Sequence, residues 1–351
     1  MIYINCDYNE GAHEKVLERV VATNAEQTAG YCKDTYCEQA AGLIRTLCNA
    51  PEAGVHFLVG GTQTNATVIC SALRPHQGVI AAHSGHISIH ESGAIEADGH
   101  KVIELPSDDG KLTAAQIDAY FRAYKADESA EYIVQPKMVY ISQPTEMGTI
   151  YSLAELEALS AVCRQYGMYL YADGARLGYA LSADKNDVTL ADMARLCDVF
   201  YIGAAKIGAL FGEAVVILHP ALKEDFRSII RRKGALLAKG RLLGIQFLAL
   251  LEDGLYQRIA LHADDMANRL RAALHEANMP IVCESTTNLV FAVLPDTCYD
   301  ELKKTFKVAY QRKTDDNHCL VRFCTSWGTK PEAIEQLCTL LKAYTCPAER
   351  S

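Results

Sequence analysis

Several features are scarce in this chain, and each scarcity removes a class of function. No tract of Lys and Arg occurs; 34 basic residues against 43 acidic ones leave a formal net charge of −9. The phosphate-neutralising surface of a nucleic-acid binder is therefore unsupported. No long apolar run occurs either: the most apolar stretch, 242–251, falls well short of the roughly 20 residues that span a bilayer. The 13 cysteines contain no Cys-x-x-Cys spacing, which argues against a zinc framework. Their odd number and scattered positions fit reduced thiols in a reducing compartment. Residues 1–10 lack the basic-then-apolar profile of a secretory signal. With the acidic balance, the expectation is a cytoplasmic protein. Internal repeats and low-complexity segments are also missing.

What is present is an alternation of strands and helices. Of the 351 residues, 50% are hydrophobic and 22% charged, which suits one large or two smaller packed domains. Short apolar runs at 55–59, 79–82, 101–105, 138–142, 168–172, 199–202 and 214–218 read as strands. Helical periodicity marks 64–73, 112–124 and 190–197. Ser152-Leu153-Ala154-Glu155 is a capping box, in which each polar side chain bonds the other's free amide; its helix stops at Gly167, a natural C′ residue. Strands separated by helices predict an α/β protein with a large, mostly parallel seven-stranded sheet covered on both faces. After about residue 240 the pattern changes to helices at 242–255 and 258–277, β structure with a turn at 280–295, a strand at 319–325 and a helix at 331–344. The expected division is a large domain, 1–240, and a smaller α+β domain, 241–351.

In such sheets ligands bind beyond the carboxyl ends of the strands, and the reactive residues fall there. In Gly203-Ala204-Ala205-Lys206-Ile207-Gly208 one ammonium stands among small residues just past an apolar strand. A desolvated lysine loses its proton readily and becomes a nucleophilic amine. About 30 residues upstream, Asp173 closes another apolar strand and opens Asp173-Gly174-Ala175-Arg176. A buried lysine and a strand-end aspartate are the Schiff-base amine and pyridinium partner that a pyridoxal 5′-phosphate (PLP) enzyme needs. Taken alone, Asp173 reads first as a turn or capping residue, and Arg176 as a structural ion pair or a fork for a substrate carboxylate. Gly60-Gly61-Thr62 lies where a strand meets a helix, and reads as a phosphate cup or as plain turn chemistry. His83, His86 and His90, followed by Glu91, read either as a metal site or as one imidazole, His86, lying on a cofactor ring. Arg322 is a charge inside an apolar strand, placed there for an anion or facing solvent.

In their order along the chain, Gly61-Thr62, His86 with Glu91, Asp173-Gly174-Ala175-Arg176, Lys206 and Arg322 resemble the threonine aldolase family, among the aromatic β-eliminating lyases. The resemblance runs from Asp7-Tyr8 to the Arg322 strand. It implies the PLP-dependent transferase fold type I and cleavage of the Cα–Cβ bond of a β-hydroxy-α-amino acid such as L-threonine or L-allo-threonine. It further implies that Lys206 bonds the cofactor aldehyde, Asp173 meets the ring nitrogen, Gly61 and Thr62 hold the phosphate, and His86 stacks on the ring. Arg176 and Arg322 would grip the substrate carboxylate. Tyr31 resembles a tyrosine that reaches a neighbouring subunit's site, so a homo-oligomer, dimer or tetramer, is expected. Two departures stand out: Glu146 occupies the place of a histidine implicated in β-hydroxyl chemistry, which makes it a catalytic candidate, and Ala204-Ala205 lacks the hydroxyl common just before the lysine. The same site would also serve a β-eliminating lyase or a racemase; a metal-dependent hydrolase would instead use the three histidines.

Overall fold

The computed structural model describes residues 1–344. Its centre is a seven-stranded sheet in the spatial order Gly54–Leu58, Glu213–Ile217, Val199–Gly203, Tyr169–Asp173, Gln135–Ser142, Gln77–Ala82, Val102–Leu105. The last five of these run parallel. Glu213–Ile217 is antiparallel to both of its neighbours. Each expected strand is present within a residue or a few of its expected limits, because continuous apolar runs suit strands buried on both faces.

Alternation along the strands divides the core. Val139, Ile141, Leu170, Ala172, Phe200 and Ile202 pack on one face. Met138, Tyr140, Tyr171, Tyr201, Val215 and Ile217 pack on the other. The helix Leu153–Tyr166 begins with the Ser152–Glu155 capping box and ends at Gly167 with φ 63, the left-handed conformation that glycine adopts without a Cβ clash. Two further capping boxes, Thr113–Gln116 and Thr189–Asp192, start Ala114–Ala126 and Leu190–Leu196.

A second sheet of three antiparallel strands, Ala309–Lys313, His318–Cys324 and Leu289–Pro295, carries its own core. The chain reaches it through the helix Leu255–Glu276. Leu255, Ile259 and Ala263 of that helix pack into the large core, while Ala267, Leu270 and Leu274 pack into the small one. The N-terminal strand Ile2–Tyr3 pairs with Phe306–Lys307, and Ile4 joins the small core. The preceding helix, Arg241–Leu251, buries Leu243, Phe247 and Leu250 against the large sheet. Among the described residues no helix is long and apolar enough to cross a membrane.

Candidate active site

The strands Tyr169–Asp173, Val199–Gly203 and Gln135–Ser142 end at one edge of the large sheet. A cavity of about 250 Å3 opens there, lined by Gly61, Thr62, His86, Glu146, Asp173, Arg176 and Lys206 among others. Seven of the nine residues given a site role through the family resemblance thus meet in one place. Close backbone approach makes this possible. A Cβ on Gly174 would lie 1.8 Å from the Tyr201 carbonyl oxygen, and one on Gly203 would lie 2.5 Å from that of Ala175.

Asp173 is 4% exposed and accepts four hydrogen bonds. Tyr201 Oη (2.5 Å) and the Ala175 amide (3.0 Å) donate to Oδ1. Tyr140 Oη (2.7 Å) and Asn65 Nδ2 (2.9 Å) donate to Oδ2. Burial works to raise the pKa, but the Tyr201 hydroxyl, the His86 charge, the Tyr140 hydroxyl and the Ala175 amide outweigh it and hold the carboxyl below its usual value. Asn65 also donates to Glu91 Oε1 at 2.7 Å and accepts from Tyr171 Oη at 2.6 Å. Glu91 Oε1 in turn lies 2.7 Å from His86 Nδ1. Burial disfavours the imidazolium, yet the Glu91 hydrogen bond and the charges of Asp173 and Glu91 raise the His86 pKa. A continuous polar chain therefore runs from Asp173 through Asn65 and Glu91 to His86.

Lys206 lies in the loop after Val199–Gly203. Tyr179 Oη donates to its carbonyl oxygen at 2.6 Å. The loop closes on itself through the Ile207 and Ala209 amides, both bonded to the Ala204 carbonyl. Burial, then the neighbouring Arg176 cation, lower the Lys206 pKa; the carboxylates of Asp7, Asp173 and Glu213 oppose this without cancelling it. Glu146 Oε1 accepts from the His86 amide (3.0 Å) and Ser142 Oγ (2.6 Å). Burial raises its pKa, the Ser142 hydroxyl resists, and the Asp173 charge adds to the rise.

Arg176 is clamped from behind. Its Nε donates to Asp7 Oδ2 at 2.6 Å and its Nη2 to Asp7 Oδ1 at 3.0 Å, and Asn288 Nδ2 donates to Asp7 Oδ2 at 2.9 Å. Burial alone would raise the Asp7 pKa, but the Arg176 and Lys206 charges and these bonds take it down to about 2.

Arg322 and Tyr31 do not line the cavity. Arg322 Nη2 donates to the Asn5 carbonyl at 3.2 Å, and its buried Nε has no acceptor. Tyr31, 40% exposed, has φ 60; its carbonyl accepts from Arg227 and its ring lies under Arg231. The three histidines do not converge. His83 Nδ1 accepts from the Ser107 amide, His86 Nδ1 faces Glu91, and the His86 and His90 rings stand 5.6 Å apart. Among the described residues no group of three or more His, Cys, Asp or Glu side chains is placed to hold a metal ion, so the metal reading lacks its ligand set.

Sequence reasoning passed over Asp7, Asn65, Tyr140, Tyr171, Tyr201 and Glu213. One signal was available for the tyrosines: each stands in the middle of an apolar strand, and Tyr140 is directly in register with Tyr171. Buried tyrosines usually find a partner for the hydroxyl, so three in adjacent strands point to one polar cluster: Tyr140 and Tyr201 donate to Asp173, and Tyr171 to Asn65.

The sequence matches the family described as beta-eliminating lyase over residues 10–297. It is 29% identical over 320 residues to the low specificity L-threonine aldolase of Pseudomonas sp. (strain NCIMB 10558), covering 89% of either chain. A solved structure of Leishmania major threonine aldolase is 45% identical, superimposes with a TM-score of 0.96, and is covered 100% by 99% of this chain. A single mutant of Thermus thermophilus aspartate aminotransferase, 16% identical, superimposes with a TM-score of 0.71 over 98% of this chain and 91% of that one; that likeness is one of fold.

Proposed function

Because the chain belongs to the beta-eliminating lyase family and stands with the threonine aldolases in it, we propose that it is a PLP-dependent carbon–carbon lyase. Its substrate is a β-hydroxy-α-amino acid, L-threonine or L-allo-threonine, cleaved between Cα and Cβ to glycine and acetaldehyde. The observation that carries this function is an ionised, four-fold hydrogen-bonded Asp173 sharing one cavity with the desolvated amine of Lys206.

The residues fit the cofactor. Gly61 and Thr62 open the helix Gly61–Ala72 at the cavity wall, and the first amides of a helix have no carbonyl of their own to bond, so they suit an anion. Asp173 suits a protonated ring nitrogen, and Lys206 an aldehyde carbon. When bound, PLP supplies a ring that accepts the electron pair left at Cα.

The protein's own groups do the rest. Arg176, aimed by Asp7, takes the substrate carboxylate and orients the Cα–Cβ bond. Arg322 is its proposed companion; like Arg176, it acts electrostatically on His90 and Cys324. His86, hydrogen-bonded to Glu91, would lie against the cofactor ring. Glu146, whose raised pKa brings it nearer neutrality, takes the β-hydroxyl proton through the oxygen not bonded to Ser142 and His86. General-base help of this kind contributes about 10²–10⁴-fold. Tyr31 completes the site of a neighbouring copy, so the working form is a homo-oligomer.

Purified protein incubated with PLP and either substrate is expected to release acetaldehyde and glycine in equal amounts, and Lys206→Ala to release neither. Ammonia and an oxo acid in place of the aldehyde would replace this reaction with β-elimination.

A further inference from the structure

Glu213 lines the cavity, yet the scheme above leaves it without a task. It is 3% exposed, and its Oε2 has no hydrogen-bond partner. It begins the strand Glu213–Ile217 at the cavity edge of the sheet. In register it stands opposite Leu58 on one side and Gly203 on the other. Leu58 leads within three residues to Gly61, and Gly203 leads within three to Lys206. Along the sheet edge, Glu213 therefore sits between the helix N-terminus and the lysine loop. Asp173 lies farther along, on the strand beyond Val199–Gly203.

A buried carboxyl with one unpartnered oxygen is costly as an anion and far less so as a neutral acid. Burial is what favours the neutral form, and it outweighs the groups that face Glu213 from the neighbouring elements. Lys206 and the Ala204 amide favour ionisation, Asp173 opposes it, and the hydroxyls of Tyr201, Tyr171 and Tyr256 are themselves kept protonated. A neutral acid has an O–H to donate, and in this cavity an anion at the start of Gly61–Ala72 is the acceptor within the same pocket.

We propose that Glu213 is a phosphate-binding residue: as a neutral acid it donates a hydrogen bond from Oε2 to the cofactor's phosphate, beside the amides of Gly61 and Thr62. The role presupposes the cofactor proposed above. It also accounts for a carboxyl near an anion site, since the ionised form would repel what the helix N-terminus attracts. Once Glu213 loses its proton the donor becomes a repelling charge, so phosphate-dependent affinity falls as pH rises through its folded pKa.

The test is equilibrium binding of PLP and of pyridoxal, which lacks the phosphate, to the full chain, Glu213→Gln and Glu213→Leu across pH. Gln keeps an N–H donor and cannot ionise. The expected result is that Glu213→Leu weakens PLP binding roughly tenfold or more, the loss of one hydrogen bond to a charged group, while pyridoxal binding is unchanged. Glu213→Gln should match the parent at low pH and bind PLP more tightly than the parent at high pH. Taking the ratio of the two proteins at each pH cancels the titration of PLP itself. An equal effect on PLP and pyridoxal, or a pH-independent ratio, would overturn the role of Glu213. Failure of the parent chain to bind either compound would instead overturn the cofactor assignment. Circular dichroism of each variant separates loss of binding from loss of fold.

Discussion

Asn65 and Asp173 lie 108 residues apart in sequence, yet the Asn65 amide donates to the Asp173 carboxylate at 2.9 Å while its second N–H bond goes to Glu91. Asn65 is thus the joint between two buried acids that would otherwise repel each other. Asn65→Leu removes the joint while keeping the branched outline of the side chain. The Asp173 carboxylate then loses a donor and its pKa rises, which weakens its hold on a protonated ring nitrogen. PLP affinity should fall roughly tenfold or more, as expected for one hydrogen bond to a charged group. Titration calorimetry measures it; an unchanged affinity would remove Asn65 from the site.

Glu146→Gln isolates the proton acceptor. If Glu146 is the base, kcat falls about 10²–10⁴-fold while KM moves little, because the β-hydroxyl proton is not lost in the ground state. The pH profile supplies a second sign. A base must be ionised, so parent activity is lost as pH falls through the raised Glu146 pKa, above the ordinary carboxylate range. Glu146→Gln should lack that acidic limb. Retention of the limb in the variant would move the role to His86.

Strands and helices of the large sheet were legible because their signals are local: continuous apolar runs, a capping box at Ser152, a glycine at 167. Lys206 and Asp173 were legible because one stands just past a strand end and the other closes a strand, where pockets of parallel sheets form. What was not legible depended on pairing. Nothing near Arg176 announces Asp7, its partner 169 positions earlier, and Glu213 reads simply as the residue before a strand until the register places it opposite Leu58 and Gly203. The same holds for the N-terminal strand, which pairs with Phe306–Lys307. Helix 242–255 ends earlier than its periodicity suggests, at Leu251, because Gly254 takes φ 65 and restarts the chain as Leu255–Glu276.

Asp7 ties stability to acid. Its folded pKa of about 2 lies below the unfolded value near 3.9, so the unfolded chain binds the proton first. The group's contribution, about 2 kcal/mol, is fully present above pH 4 and is lost as pH falls toward 2. Asp7→Asn should be strongly destabilised at neutral pH, since it strands the Arg176 charge in a buried site. The difference from the parent should narrow as pH falls. Denaturant unfolding between pH 2 and pH 7 measures it, and a difference independent of pH would exclude the linkage.

Tyr31 offers a test of assembly. If it completes a neighbouring copy's site, Tyr31→Ala and Lys206→Ala are each inactive for different reasons. Co-expressed with different affinity tags, they should form hybrids in which one site has both Lys206 and Tyr31. Partial recovery of aldehyde release in doubly purified hybrids is expected. Hybrids as inactive as either parent variant would return Tyr31 to its own subunit's surface.

Asp264 carries the opposite linkage from Asp7. It is buried in the helix Leu255–Glu276 with neither carboxylate oxygen partnered. Burial lifts its pKa to about 9 despite the nearby Arg271 charge. The folded state therefore keeps a proton that the unfolded chain gives up near pH 4. Stability falls as pH rises from about 4 toward 9, because folding must neutralise the acid again. Asp264→Asn is neutral at every pH and nearly the same size. At pH 4 it should match the parent, and at pH 8 it should be more stable by on the order of 5 kcal/mol, read as a higher melting temperature. Equal melting temperatures at both pH values would mean that Asp264 meets water or a charge in the folded state, and that the helix bridging the two cores is less closely packed there than the geometry indicates.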